Sequence, residues 1–164
     1  MGPFHGPFFQ TAYLTNDLEL ARDQFGAAFG LKEFRRIGGP LRGGGKIAVE
    51  LACAGGVMYE LMQVSESEDP LYASQPGEHE PFGLVHHHYG YTVNGEQAWH
   101  QLMLECAQRG FKVVYQSETP GFMKVCFIQI PWLPHYLEYF CLEPGGRAFF
   151  ESVPCAAGSP AVRF

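Results

Sequence analysis

The stretch FFQTAYLTNDL, residues 8–18, decides the fold. Its aromatic and β-branched residues up to Thr15 predict a strand. Asn16 and Asp17 come next, and both are residue types that cap the start of a helix. Apolar residues then recur at helical spacing from Leu18 onward, and Gly30 ends the run. The chain therefore opens with a strand that passes directly into an amphipathic helix.

Three further strands are expected after this helix, and the whole pattern then starts again. In the first copy the predicted strands cover 31–37, 46–52 and 57–64, and the glycine-rich stretch 38–45 is read as a loop or wide hairpin. In the second copy a strand over 86–93 is followed by a helix that Asn94 can cap and Gly110 ends, and by strands over 111–115, 121–130 and 135–142. The sequence predicts an α+β fold of two β-α-β-β-β modules.

The length of 164 residues fits one domain, which we expect to cover the whole chain. Its proposed parts are module one at about 8–64, a linker at 65–83, module two at about 84–142 and a C-terminal tail at 143–164. The linker is acidic and interrupted by prolines, so we expect a loop that is more mobile than the strands. The tail contains glycines and prolines and is expected to be irregular.

Composition excludes several classes of protein. Charged residues make up only 17% of the chain and its net charge is −6, which argues against binding to nucleic acid or to an anionic membrane surface. The chain has no apolar run of the roughly 18 residues that span a membrane. Its five cysteines are an odd number without a CxxC pair, which indicates reduced thiols in a cytoplasmic protein.

Four side chains that can bind a metal occupy repeated positions. Gln10 and His88 are 78 residues apart, and so are Glu60 and Glu138. If the two sheets face each other, the four side chains can converge on one point. This mixed set of nitrogen and oxygen donors suits Zn²⁺, Ni²⁺, Mn²⁺, Co²⁺ or Fe²⁺. The plainer alternative is two exposed glutamates, a surface amide and a core histidine, but the doubled spacing favours a metal site.

Four segments lie around these positions: QTAYLTNDL at 10–18, YEL at 59–61, HHYGYTV at 87–93 and HYLEY at 135–139. They resemble motifs of the vicinal-oxygen-chelate superfamily, which includes glyoxalase I, methylmalonyl-CoA epimerase, extradiol dioxygenases and fosfomycin- or bleomycin-resistance proteins. The resemblance covers about 8–142. It implies that the paired modules form a cupped mixed sheet around a metal. It also implies that the usual ligands fall on Gln10, Glu60, His88 and Glu138.

The sequence also departs from the family pattern. Glutamine in the first ligand position is similar to one branch of glyoxalase I, whereas most relatives have histidine there. The hairpin before the last strand is commonly Asp-Pro-x-Gly, and here it is PWLP at 131–134. A convincing glutathione-binding arginine pattern is missing, and Arg35, Arg36 and Arg42 are no more than candidates for it. The sequence therefore leaves open whether glutathione or coenzyme A is involved.

The resemblance and the ligand chemistry together predict an enzyme that removes a proton next to a carbonyl group. A bound ion would act as a Lewis acid. Glu138 is the expected base, Glu60 a ligand or partner base, and His88 and Gln10 are ligands. The predicted activity is that of an isomerase, epimerase or lyase, acting as a homodimer on a small molecule with an apolar part. The alternatives are an extradiol-type dioxygenase and a protein that only binds or sequesters a small molecule.

Other residues near the proposed ligands have roles that the sequence leaves open. Alternate residues of a strand share a face, so His86 is expected to point where His88 points. It could lie behind the ligands or contact the substrate, as could Tyr91 and Tyr136. Glu50 is expected to be a plain solvent-facing residue.

Overall fold

The computed structural model describes residue 4 and residues 6–164, and its elements follow the predicted repeat. The elements in chain order are β1 (Phe8–Thr15), α1 (Leu18–Phe29), β2 (Arg35–Pro40), β3 (Lys46–Ala54), β4 (Val57–Ser65), β5 (Leu84–Thr92), α2 (Gly95–Arg109), β6 (Lys112–Thr119), β7 (Met123–Gln129), β8 (Tyr136–Leu142) and α3 (Pro144–Glu151). The prediction of two β-α-β-β-β modules is confirmed.

The two long helices end in the same way but begin differently. Gly30 and Gly110 follow them in the left-handed conformation, with φ of 69° and 68°. At the start of α1, the Asp17 carboxylate accepts a hydrogen bond from the Leu20 backbone N–H over 3.0 Å. Asn94 precedes α2 without a side-chain capping bond. The predicted cap is therefore complete only for α1.

The chain forms two compact units. The N-terminal unit contains residues 11–87 and 153–162. In it β3 pairs antiparallel with both β2 and β4. One face of α1 packs against β3 and β4 in a cluster of buried apolar side chains: Leu18, Ala21, Phe25, Leu31, Ala52 and Leu61. Apolar spacing in α1 therefore places its buried stripe against alternate residues of the strands.

The C-terminal unit contains residue 4, residues 6–10, residues 88–152 and residues 163–164. Here β8 pairs in parallel with β5 and antiparallel with β7, which pairs antiparallel with β6. Trp99, Leu102 and Cys106 of α2 pack against Ile128 and Tyr139. Strands β1 and β5 contribute residues to both units, and the hydrogen-bonded strand order is β2-β3-β4-β1-β5-β8-β7-β6. The predicted mixed sheet is confirmed.

The boundaries of β2 differ from the prediction. The strand begins at Arg35 instead of residue 31, because the Leu31 N–H bonds back to the Gly26 carbonyl over 3.1 Å and completes the helix end. The strand then continues into the glycine-rich stretch 38–45, for which a loop or wide hairpin is predicted, and its antiparallel pairing with β3 forms that hairpin. A Cβ on Gly38 would lie 2.4 Å from the carbonyl oxygen of Ile47 on β3. Glycine here permits a close strand contact.

The tail is irregular as predicted only from residue 152 onward, because its first part forms α3. Gly145 and Gly146, two of the glycines on which that prediction rests, lie inside this helix. A Cβ on Gly145 would come within 2.6 Å of the Gly121 carbonyl oxygen, and one on Gly146 within 2.3 Å of the Phe122 carbonyl oxygen. The two glycines let α3 pack directly on the turn before β7.

The linker at 65–83 is held by side chains of its own unit. The Gln75 amide makes two hydrogen bonds with the Val64 backbone, of 2.6 and 2.7 Å. The Asn16 amide bonds to four backbone groups between Gly77 and Gly83. Higher mobility of the linker stays a prediction. Among the described residues, none of the helices has the length and apolar character needed to span a membrane.

Candidate metal centre

Three of the predicted ligands meet inside the C-terminal unit. Gln10, His88 and Glu138 are all buried, with exposed fractions of 1%, 1% and 6%. His88 Nε2 lies 2.7 Å from Glu138 Oε2 and 3.2 Å from the Gln10 side-chain amide. One imidazole nitrogen offers either a single N–H or a single lone pair, so it serves one partner at a time. The imidazole, the carboxylate and the amide all offer donor atoms at this point, so together they could surround a cation.

The pairing of β5 with β8 explains how these residues meet. His88 lies opposite Tyr136 and Gly90 lies opposite Glu138 in the parallel register. A Cβ on Gly90 would lie only 2.8 Å from the Cβ of Gln10. The missing side chain at position 90 therefore makes room for Gln10 beside His88. Sequence reasoning missed Gly90, although a glycine within a strand does indicate close approach of a neighbour.

Phe127 is a second site residue that sequence reasoning missed. It lies opposite Glu138 on β7, and its ring meets the His88 ring edge-on, with 5.0 Å between ring centroids. It also contacts the candidate Tyr136, with centroids 6.3 Å apart. Phe127 is buried and provides an apolar wall for the polar group. Apolar surroundings strengthen electrostatic interactions, because they lower the local dielectric constant.

The fourth predicted ligand, Glu60, lies on β4 opposite Leu51 and is half-buried. Glu60, His88 and Glu138 each offer one ligand atom, and these atoms lie within 4.8 Å of one another. This group could hold a metal ion. Two carboxylates and an imidazole are donors that divalent transition metals accept. Buried carboxylates need a compensating charge, which a bound cation would supply.

Two further candidates contact aromatic neighbours. The His86 ring meets Tyr13 edge-on, with ring centroids 5.5 Å apart. Tyr91 stacks on Tyr139 at 5.3 Å. Burial raises the pKa of both phenols, so each remains protonated at neutral pH. These phenols can donate a hydrogen bond but cannot serve as bases.

The expectation that Glu50 faces solvent is wrong, since only 3% of the residue is exposed. Glu50 pairs across the strands with Arg36, a candidate for glutathione binding. The Arg36 guanidinium lies 3.5 Å from Glu50 and 2.6 Å from Glu19. Burial raises the pKa of Glu50, while Arg36 and Arg22 act in the opposite direction. Arg36 is therefore engaged by carboxylates of its own unit.

Comparison with known proteins gives matches only among solved structures. No family model matches the sequence. No curated protein sequence matches it either. Methylmalonyl-CoA epimerase from Mycobacterium tuberculosis is 15% identical and superposes with a TM-score of 0.57, over 85% of this chain and 89% of that chain.

Two structures from Streptomyces coelicolor are also similar. A methylmalonyl-CoA epimerase variant in complex with 2-nitronate-propionyl-CoA is 13% identical, with a TM-score of 0.53 over 85% of this chain and 96% of that chain. A 4-hydroxymandelate synthase mutant is 11% identical, with a TM-score of 0.60 over 84% of this chain and 49% of that chain. At these identities the likeness concerns the fold. The chain therefore has the vicinal-oxygen-chelate fold that its motifs predict, and it carries a Glu/His/Glu group that could bind a metal.

Proposed function

We propose that this chain is a metal-dependent isomerase, epimerase or lyase that removes a proton from the carbon next to a carbonyl group. The observation that carries the proposal is the buried contact between His88 and Glu138, within a group that could hold a metal. A divalent ion bound there would polarise the carbonyl group and stabilise the negative charge that develops as the proton leaves.

The burial of each side chain supports a division of roles. Gln10 and His88 are buried and can bind an ion without adding negative charge. Glu138 is buried beside Phe127, whose apolar ring keeps water away from the carboxylate. A carboxylate that is poorly solvated is a stronger base. Glu60 is only half-buried, so solvent reaches its side chain, and it can act as ligand or as partner base. Glu138 is accordingly the main base in this proposal.

The substrate class is proposed by analogy of fold. The similar epimerases are named for methylmalonyl-CoA, and one was solved with 2-nitronate-propionyl-CoA. Acyl thioesters that carry an acidic hydrogen next to the carbonyl are therefore the first compounds to test. An apolar part of such a compound would suit the aromatic surroundings of His88.

The donor set makes the oxygenase alternative less suitable. Non-haem Fe²⁺ oxygenases use two histidines and one carboxylate. The group here has one histidine and two carboxylates, with an amide from Gln10 beside the histidine. Catechol turnover that depends on oxygen would nevertheless favour the oxygenase, and a purified protein that binds no metal would favour sequestration.

The decisive experiment measures exchange of solvent deuterium into the carbon next to the carbonyl. Metal-loaded protein is incubated in deuterated buffer with methylmalonyl-CoA and with other 2-substituted acyl thioesters, and exchange is followed by NMR. Glu138→Gln keeps the size of the side chain and an oxygen ligand but removes the base. Exchange should fall by about 10²–10⁴-fold, the usual contribution of general acid–base catalysis, while the metal is retained.

Glu118→Gln is the matched control, because Glu118 is an exposed carboxylate on β6. The Glu118→Gln protein should catalyse deuterium exchange into the substrate at the wild-type rate. If the Glu138→Gln protein also catalyses exchange of the proton as fast as wild type, Glu138 is not the base.

The homodimer and the cytoplasmic location belong to the same proposal. Light scattering coupled to size-exclusion chromatography tests the dimer.

A further inference from the structure

Two of the five cysteines lie side by side in the N-terminal unit. Cys155 follows α3 and forms a parallel bridge with Cys53 of β3. The Cys53 N–H bonds to the Pro154 carbonyl over 2.9 Å, and the Ala156 N–H bonds to the Cys53 carbonyl over 2.8 Å. Neighbouring strands lie about 4.8 Å apart. This separation falls within the roughly 4.4–6.8 Å between Cα atoms that a disulfide requires.

The two thiols differ in access to solvent. Cys155 is exposed, whereas only 1% of Cys53 is exposed. Burial and a side-chain hydrogen bond with Cys53 raise the pKa of Cys155 to about 11. Lys32 and Glu33 are the charged residues that line the small cavity beside Cys155. A reagent in solution can therefore reach Cys155 but not its neighbour.

We propose that Cys53 and Cys155 form a site of reversible oxidation that closes an intramolecular disulfide. The oxidant is a small-molecule disulfide such as oxidised glutathione. The Cys155 thiolate attacks one of its sulfur atoms and releases the first small thiol. The Cys53 thiolate then attacks the Cys155 sulfur of the mixed disulfide and releases the second small thiol. Two protein thiols are oxidised and one small disulfide is reduced, so electrons and protons balance.

The remaining cysteines lack this combination of access and neighbour. Cys106, Cys126 and Cys141 are all buried. Burial raises the pKa of Cys106 to about 11, and it also raises the pKa of Cys126 and Cys141. The pKa of Cys155 is raised to the same value as that of Cys106, so access to solvent, and not ionisation, separates the two thiols. Oxidation is therefore selective for the pair that contains Cys155.

The bond would fasten the segment 153–162 to β3. Cys53 lies opposite Met58 in the pairing of β3 with β4, and Glu60 follows two residues later on that strand. The covalent link would close a loop of about 100 residues, and loops of that length give the largest restriction of the unfolded chain. The oxidised protein should therefore unfold at a higher temperature than the reduced protein. This inference is independent of the proposed enzymatic activity.

The test uses oxidised glutathione with the purified full chain. Wild-type protein should lose two hydrogen atoms in intact-mass analysis, and a non-reducing peptide map should show a link between Cys53 and Cys155. Cys155→Ser should prevent both changes, and Cys53→Ala should stop at a stable glutathione adduct on Cys155. Cys141→Ser is the control and should behave as wild type. At pH values below the pKa of Cys155, the initial rate should increase about tenfold for each unit by which the pH is raised, because the thiolate fraction increases by that factor.

Several results would overturn the proposal. One is a wild-type protein that ends as a glutathione adduct on Cys155 without the link to Cys53. Others are a map that links different cysteines or two chains, and an unmodified protein after long incubation at pH 9. Because the map of wild-type protein gives the answer alone, a Cys53→Ala variant that fails to fold does not affect the outcome.

Discussion

The two modules share one plan of strands but carry different kinds of candidate ligand. Module one contributes Gln10, a buried neutral amide, and Glu60, a half-buried carboxylate. Module two contributes His88 and Glu138, both buried and only 2.7 Å apart. A neutral amide is cheaper to bury than a carboxylate, which requires a partner or a cation. The contact between His88 and Glu138 therefore lies within module two, whereas the carboxylate that module one offers is only half-buried.

Among these predictions, the removal of His88 should have the largest effect, and that effect is on metal binding. His88→Ala deletes the nitrogen on which Glu138 and Gln10 converge. Loss of a partner behind a metal ligand already weakens metal affinity by about 10–100-fold. Loss of His88 itself should exceed this range. Gln10 is a neutral amide and the weaker donor of these two proposed ligands, so Gln10→Ala should lower metal affinity less than His88→Ala does. Dialysis against metal-buffered solutions and elemental analysis measure both. Unchanged metal content in His88→Ala would remove His88 from the site, and equal losses in the two variants would contradict the weaker role of Gln10.

A glycine from each module provides the next comparison. A Cβ on Gly90 of β5 would meet the Cβ of Gln10 at 2.8 Å, whereas one on Gly39 of β2 would meet nothing within 4 Å. Gly90→Ala should lower the free energy of unfolding by about 1–3 kcal/mol, as overpacking does. Gly39→Ala should change it by less than about 0.5 kcal/mol. Urea denaturation measures both. A Gly90→Ala protein as stable as wild type would show that Gln10 is not held tightly beside His88.

The sequence predicts the repeated features of this molecule well. Helical spacing locates α1 and α2, and glycine at the end of each fixes where it stops. The separation of 78 residues identifies Gln10 and His88, which do meet in the structure. Such features depend on local periodicity or on the repeat itself. They can therefore be read without knowledge of the packing.

Features that depend on close packing could not be predicted. The glycines of α3 look like helix breakers, and their role against the turn at Gly121 is visible only in three dimensions. Glu50 looks solvent-facing because its contact with Arg36 depends on the register of β2 on β3. Phe127 carries no motif, since its contact with His88 is set by the register of β7 on β8.

The smallest expected effect concerns the start of the two helices. The Asp17 carboxylate accepts a hydrogen bond from the Leu20 N–H at the start of α1, and its negative charge also favours that end of the helix. Asp17→Ala should therefore destabilise the protein by about 1 kcal/mol. Asn94 makes no such bond at the start of α2, and its side-chain oxygen lies 3.4 Å from the Arg147 guanidinium.

Asn94→Ala should accordingly cost only a few tenths of a kcal/mol, because it removes one long, exposed contact and no cap. Urea denaturation of both variants and of the double variant measures the difference. The two positions lie in different modules without a shared partner, so their effects should add to within about 0.5 kcal/mol. An Asn94→Ala loss as large as that of Asp17→Ala would mean that Asn94 caps α2 in solution. The modules would then differ in their candidate metal ligands but not in how their helices begin.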